Sequence, residues 1–154
     1  MPAAERLASL ERASYLNDAY RTLRQPLDRV EYLLKIEGLL PKDRRERVQG
    51  TPAALLEEVF AFNEEIDGVR RARQAGAAPE ELRRRLEAAR RPIEARREEH
   101  RRRLESLCEQ WDRLVDAGAR ADERRRTLEA LRALMLERTY INNLLAALER
   151  EQAL

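Results

Sequence analysis

Apolar residues recur at helical spacing along almost the whole chain, and polar breaks with proline or glycine divide the pattern into segments. Leu16, Tyr20 and Leu23 fall at i, i+4 and i+7 and share one face, while Asp18, Arg21 and Arg24 lie off it. With Leu7 and Leu10 taken as continuing its apolar side, this spacing predicts a helix over 2–24 with one buried stripe. Pro26 disfavours helical geometry at Gln25 and suits the first turn of a new helix, where its missing N–H costs nothing. The second helix carries Leu27, Val30, Leu33 and Leu34 inward and stops at Gly38, a C-terminal cap.

Residues 41–51, P-K-D-R-R-E-R-V-Q-G-T, are polar and read as a linker or a short mobile helix. Thr51 as N-cap and Pro52 in the first helical position then open a helix over 52–74, which has the strongest apolar signal in the chain. Leu55, Val59, Phe62, Ile66 and Val69 alternate four and three apart, a seam for packing on partner helices of the same domain. Leu56 and Phe60 form a second row, offset by about 100° from the first. One row is enough to bury the helix in a three-helix domain, so the second either widens the core or faces outward. Exposing it forgoes about 1.5–3 kcal/mol of burial per side chain, which natural surfaces seldom do in clusters without a partner.

The stretch G-A-A-P-E-E at 76–81 ends that helix and opens a long one running to about residue 117. Leu82, Leu86, Ala89, Ile93, Leu104, Leu107, Trp111 and Leu114 keep a heptad-like seam that Arg96 and His100 interrupt, so the middle of this helix is expected to be poorly buried. Pro92 removes an intrahelical hydrogen bond and is expected to kink the helix or loosen its packing. Gly118 ends it, and A-D-E around Asp122 opens the last helix. Over 127–154 this carries Leu131, Leu134, Ile141, Leu145 and Leu148 on one side, with Tyr140 and Leu144 beside them. The last two helices are expected to form an antiparallel pair.

Composition agrees with an all-α chain. With 39% charged residues and only five glycines and six prolines among 154 residues, little loop remains, and 5% aromatics make the core mostly Leu and Ala. The length suits one domain, or a compact domain with a small appendage. Net charge is +2 from 31 basic and 29 acidic residues, and Lys35 and Lys42 are the only lysines. The arginine runs at 83–85, 101–103 and 124–126 have glutamates at helical spacing, as in Glu80/Arg84 and Glu98/Arg102. Such faces neutralise themselves, so neither a nucleic-acid nor a membrane partner is expected. Cys108 stands alone, which leaves no disulfide framework and no cysteine pair for metal. Residues 1–10 hold two charges and no apolar run; nothing reads as a signal peptide or a membrane span, and a reducing cytoplasm is the default.

No enzyme constellation appears: there is no G-x-S-x-G, no phosphate-cradling glycine loop and no histidine pair. The chain is expected to have no catalytic residues, no metal and no cofactor. Glu64, Glu65 and Asp67 read as solvated helix charges, not general acids. His100 reads as a polar residue of the seam, and Cys108, beside Leu107, as a small packing residue with no second histidine to activate it.

The residue identities within 14–38 go further than their periodicity. The run L-N-D-A-Y-R-T-L followed by P-L-D-R-V-E-Y-L-L resembles the end of a J domain, the third and fourth helices of DnaJ-type co-chaperones. It is most similar to the HscB family, which serves iron–sulfur cluster assembly. The resemblance extends less strongly to 55–67 and only weakly to the last helix. It implies a J-domain remnant at 1–40, a linker at 41–51 and a C-terminal helical client-binding domain at 52–154. In fold terms this is a partial J-domain hairpin followed by a three-helix bundle, whose antiparallel hairpin looks about three heptads longer than the family's.

The function implied is that of a co-chaperone that binds an IscU-type scaffold protein and presents it to an HscA/DnaK-type ATP-driven chaperone. Aligning E-E-I-D at 64–67 with the family pattern carries two apolar contact positions onto Leu56 and Phe60 and an acidic one onto Glu64; the aromatic of the last helix falls on Tyr140. Ala61 and Gly68 stand where that pattern has acids, and Asn63 replaces a base. J domains act on their ATPase through a His-Pro-Asp tripeptide before the third helix, and these 154 residues do not contain one; the only histidine, His100, precedes Arg101. By alignment that loop falls just upstream of Met1, so either the chain begins late or it is a degenerate member. As it stands it is expected to hold a client without stimulating ATP hydrolysis. The competing expectation is a helical adaptor or self-associating structural protein whose J-like segment is a relic.

Overall fold

The computed structural model describes residues 3–40 and 53–153, and among them every regular element is an α-helix, so the fold is all-α. The helices are α1 (Ala3–Arg24), α2 (Pro26–Ile36), α3 (Ala53–Gln74), α4 (Pro79–Asp116) and α5 (Ala121–Gln152). The linker read at 41–51, the helix start at Thr51 and Pro52, and Pro2 lie outside the described residues. The chain divides into two compact units, Met1–Leu40 and Pro41–Leu154.

In the first unit the proline acts as its chemistry requires. Gln25 is extended (φ −89°, ψ 128°) and Pro26 opens α2. Val30 and Leu34 are buried, and Leu27 and Leu33 half-buried, on the side their spacing indicated. The stripe expected on α1 is not buried: Leu16, Tyr20 and Leu23 are 65%, 61% and 51% exposed. Two helices joined through a single residue meet along one line, and α1 gives that line short side chains, the half-buried Ala19 and Thr22. Leu7 and Leu10 are also exposed. Leu7, nine residues before Leu16, lies about 180° round the helix and so does not continue its stripe.

Over its described residues the second unit is a three-helix bundle. Phe62, Ile66 and Val69 of α3, Leu86 and Ile93 of α4, and Ile141 and Leu148 of α5 form its core. Leu55 is buried and Val59 half-buried, so the whole α3 seam points inward. The turns are set by Gly76 and Gly118, whose φ values of 79° and 61° lie in the left-handed region that side chains strain to adopt. After each, the next amide reaches back five residues, Ala77 to the Ala72 carbonyl at 3.0 Å and Ala119 to Leu114 at 2.9 Å. The Arg120 N–H, which the first turn of α5 would otherwise leave unpaired, donates to Glu123 at 3.2 Å.

Ion pairs fix the directions of the helices. The Arg96 side chain of α4 bonds both Glu58 of α3 and, at 2.9 Å, Glu137 of α5; Arg103 adds a 3.2 Å bond to Glu137. At the other end of the core, Arg70 and Arg73 of α3 reach Glu151 of α5 at 2.6 and 3.0 Å, and Arg73 also bonds the Glu151 carbonyl at 2.7 Å. The α3 helix is therefore parallel to α5, with α4 antiparallel to both. The middle of α4 is not poorly buried as expected. His100 is buried, its Nε2 2.8 Å from the Leu134 carbonyl, and Arg96 is half-buried against Glu137. These polar side chains fill the seam because each finds a partner on α5.

The α4 helix runs unbroken through Pro92, which lies exposed at its edge. At lengths of about 57 and 48 Å, α4 and α5 outrun α3, at about 33 Å. Past His100 and Leu134 the described residues of this unit form two helices joined by buried Leu104, Leu128 and Leu131, with Leu107, Trp111 and Leu114 half-buried.

Leu148 is fully buried in the core. Leu148→Ala should cost about 2–5 kcal/mol of unfolding free energy, read by urea denaturation of the full chain.

Glu151 should give acid sensitivity. Burial pushes its carboxyl up, but hydrogen bonds from Arg70 and Arg73, and their charges, outweigh burial and hold it below the ordinary value of 4.5. A group depressed on folding stabilises the fold above its unfolded pKa, and this contribution is lost as pH falls through the folded value. Glu151→Gln should therefore lower stability by about 1–2 kcal/mol at pH 7. The gap to the parent should close as pH drops below 4.5, in denaturation curves recorded across that range.

Candidate functional site

The α3 helix has one apolar row more than its core needs. With Leu55, Phe62, Ile66 and Val69 turned inward, Leu56 and Phe60 come out on the other side, 48% and 68% exposed. Glu64, one turn further, is also exposed. The row is therefore surface and not a widening of the core.

Helical geometry places this row relative to α5. Leu56 lies about 40° round α3 from Arg70, the residue that grips Glu151, so it sits on the side of α3 next to α5. On α5, the half-buried Tyr140 lies about 20° round the helix from Glu151, facing the same seam. The paired residues Arg70 and Glu151 are 81 apart in sequence. Carried along two parallel helices of equal rise, that offset sets Phe60 level with Tyr140 to within about one residue, ~1.5 Å. The fold thus brings Leu56, Phe60 and Tyr140 to one seam, with Glu64 on its outer flank.

Asp67 belongs to the same surface. Seven residues after Phe60 and eleven after Leu56, it projects between them in angle, two turns further along. The sequence carried this signal in the i+7 spacing, but Asp67 read only as a solvated charge. It pairs with Arg70 at 3.1 Å, and the Arg70 guanidinium, hydrogen-bonded to Glu151, is held above its usual pKa. Glu64 forms no ion pair with a described residue, so the flank keeps an uncompensated negative charge. The result is a small apolar patch with an acidic border, suited to a protein partner that offers apolar anchors beside basic groups.

Ala61 lies on the α4 side of α3, away from this row. Gly68 continues the row one turn past Glu64. Among the described residues no cluster of three His, Cys, Asp or Glu side chains could hold a metal ion, and no helix is long and apolar enough to cross a membrane. No protein-family model matches the chain, and no solved structure matches it significantly.

Proposed function

We propose that the chain is a co-chaperone of iron–sulfur cluster biogenesis, non-enzymatic and cytoplasmic, that binds an IscU-type scaffold protein and presents it to an HscA/DnaK-type chaperone. The observation that carries this reading is the solvent-facing pair Leu56 and Phe60 at the level of Tyr140. Exposure, spacing and the HscB-like pattern at 55–67 select the same residues independently. In this reading α1 and α2 are the J-domain remnant, and the second unit is the client-binding domain. Leu56, Phe60 and Tyr140 bury apolar area against the scaffold, while Glu64 steers its basic groups. Without a His-Pro-Asp tripeptide in these 154 residues, the chain holds its client and leaves the ATPase rate unchanged.

The length of the α4–α5 hairpin beyond α3 favours a second reading, a helical adaptor or self-associating structural protein with a relic J-like segment.

Calorimetric titration with an IscU-type scaffold should give saturable one-to-one binding. Leu56→Asp combined with Phe60→Asp should weaken it by at least about tenfold, a loss ordinary for two anchor residues. Because both side chains are exposed, far-UV circular dichroism should not change. Absence of binding at high protein concentration, or unchanged affinity in the double variant, would sink the delivery reading and leave the adaptor one. A client-independent rise in the chaperone's ATPase rate would contradict the passive role.

A further inference from the structure

The opposite flank of α3 carries a separate feature. A cleft of about 450 Å³ opens between α3 and α4, floored by Leu55, Phe62, Ile93, Ile141 and Leu144. Its origin is local: Ala61 on α3 and Ala88, Ala89 and Pro92 on α4 are all short where ridge side chains would normally fill the groove between two helices. Pro92 also lacks an N–H, so the Ala88 carbonyl receives no amide from position 92. The volume falls within the ~300–1,000 Å³ typical of small-molecule sites, with the usual apolar floor and few polar groups.

The polar groups set the sign of the occupant. Glu58, Glu65 and Arg96 reach the cleft. Arg96 and Glu58 are bound to one another, and Arg96 and Arg103 share Glu137, so this cluster of two acids and two bases is neutral. Glu65 forms no ion pair with a described residue. Arg83, Arg84 and Arg91 line an adjoining groove on the far side of Ala88, which borders both, and none of the three lines the cleft itself. Among the described residues that line the cleft, what remains is one free carboxylate over an apolar floor.

We propose that this cleft binds a small hydrophobic amine. Its aromatic or branched aliphatic body rests on Phe62, Ile93 and Ile141, and its ammonium group donates to the Glu65 carboxylate. The site does not depend on the Leu56–Phe60 surface or on the function proposed for it.

Amide-detected NMR titration of the full chain with phenethylamine tests this, with 3-phenylpropionate as the acidic counterpart and a blocked Leu-Leu-Lys-Leu-Leu peptide as the macromolecular alternative. The amine should cause saturable shifts centred on Ala61, Ala88 and Ile93, and the acid should bind at least about tenfold more weakly. Glu65→Gln should weaken the amine by about tenfold. Ala88→Leu, at an exposed position that tolerates bulk, should fill the cleft and abolish the shifts with helicity intact. Absence of shifts at millimolar amine, equal binding of the acid, unchanged affinity in Glu65→Gln, or a response to the peptide alone would overturn the proposal.

Discussion

Two buried carboxylates on α5, Glu137 and Glu151, determine where α3 lies. A carboxylate removed from water is costly unless guanidinium or amide donors replace the lost hydration. Glu151 is only 4% exposed and sits at the C-terminal end of α5, where the helix dipole also disfavours an anion. Arg70 and Arg73 of α3 supply its donors, and at the other end Arg96 ties Glu137 to Glu58. A seam of Leu, Ile and Val could slide by one helical turn, about 5.4 Å, and still bury similar area. The ion pairs could not: such a slip of α3 would strand the Glu151 carboxylate and part Glu58 from Arg96. Apolar burial holds the three helices together, and these two clamps select the register.

That register decides what α3 shows to solvent. A helix lying on a pair of longer helices has one covered face and two open flanks. On the α5 flank the fixed offset brings Phe60 level with Tyr140. On the α4 flank it brings Ala61 and Glu65 opposite Ala88 and Pro92. A row of large side chains makes a convex apolar patch on one flank, and a run of short ones makes a cleft on the other.

Much of this was legible in the sequence. The four-and-three alternation from Leu55 to Val69 gave the inward face of α3, Pro26 the start of α2, and Gly76 and Gly118 the turns of the bundle. Periodicity states which residues share a face but not whether a neighbour covers it, and so Leu16, Tyr20 and Leu23 formed a stripe that the fold leaves exposed. Arg96 and His100 read as breaks in the α4 seam because their partners, Glu137 and the Leu134 carbonyl, lie on another helix whose register no local pattern contains. Leu56 and Phe60 were visible as a surplus row, but their exposure depended on how much of α3 the other helices cover. The cleft was invisible for a different reason: it is made of missing bulk, and alanines within a helical pattern carry no signal of their own.

Ala61 links the two flanks. Under the proposed function an acid is expected there, and the surrounding charges disfavour one. Position 61 has Glu57, Glu58, Glu64 and Glu65 as its i±3 and i±4 neighbours. A carboxylate at 61 would meet four like charges, each repulsion costing about 0.2–0.5 kcal/mol. Alanine removes that repulsion and at the same position leaves the space that opens the cleft. Gly68, the other such position, lies one turn past Glu64 on the outward row. The uncharged position 61 therefore falls on the cleft flank, while Glu64 and Asp67 carry negative charge beside Leu56 and Phe60. In the proposed reading the scaffold-binding surface is narrowed toward α5, and the flank it gives up is the one that acquires a cavity and a single free carboxylate, Glu65.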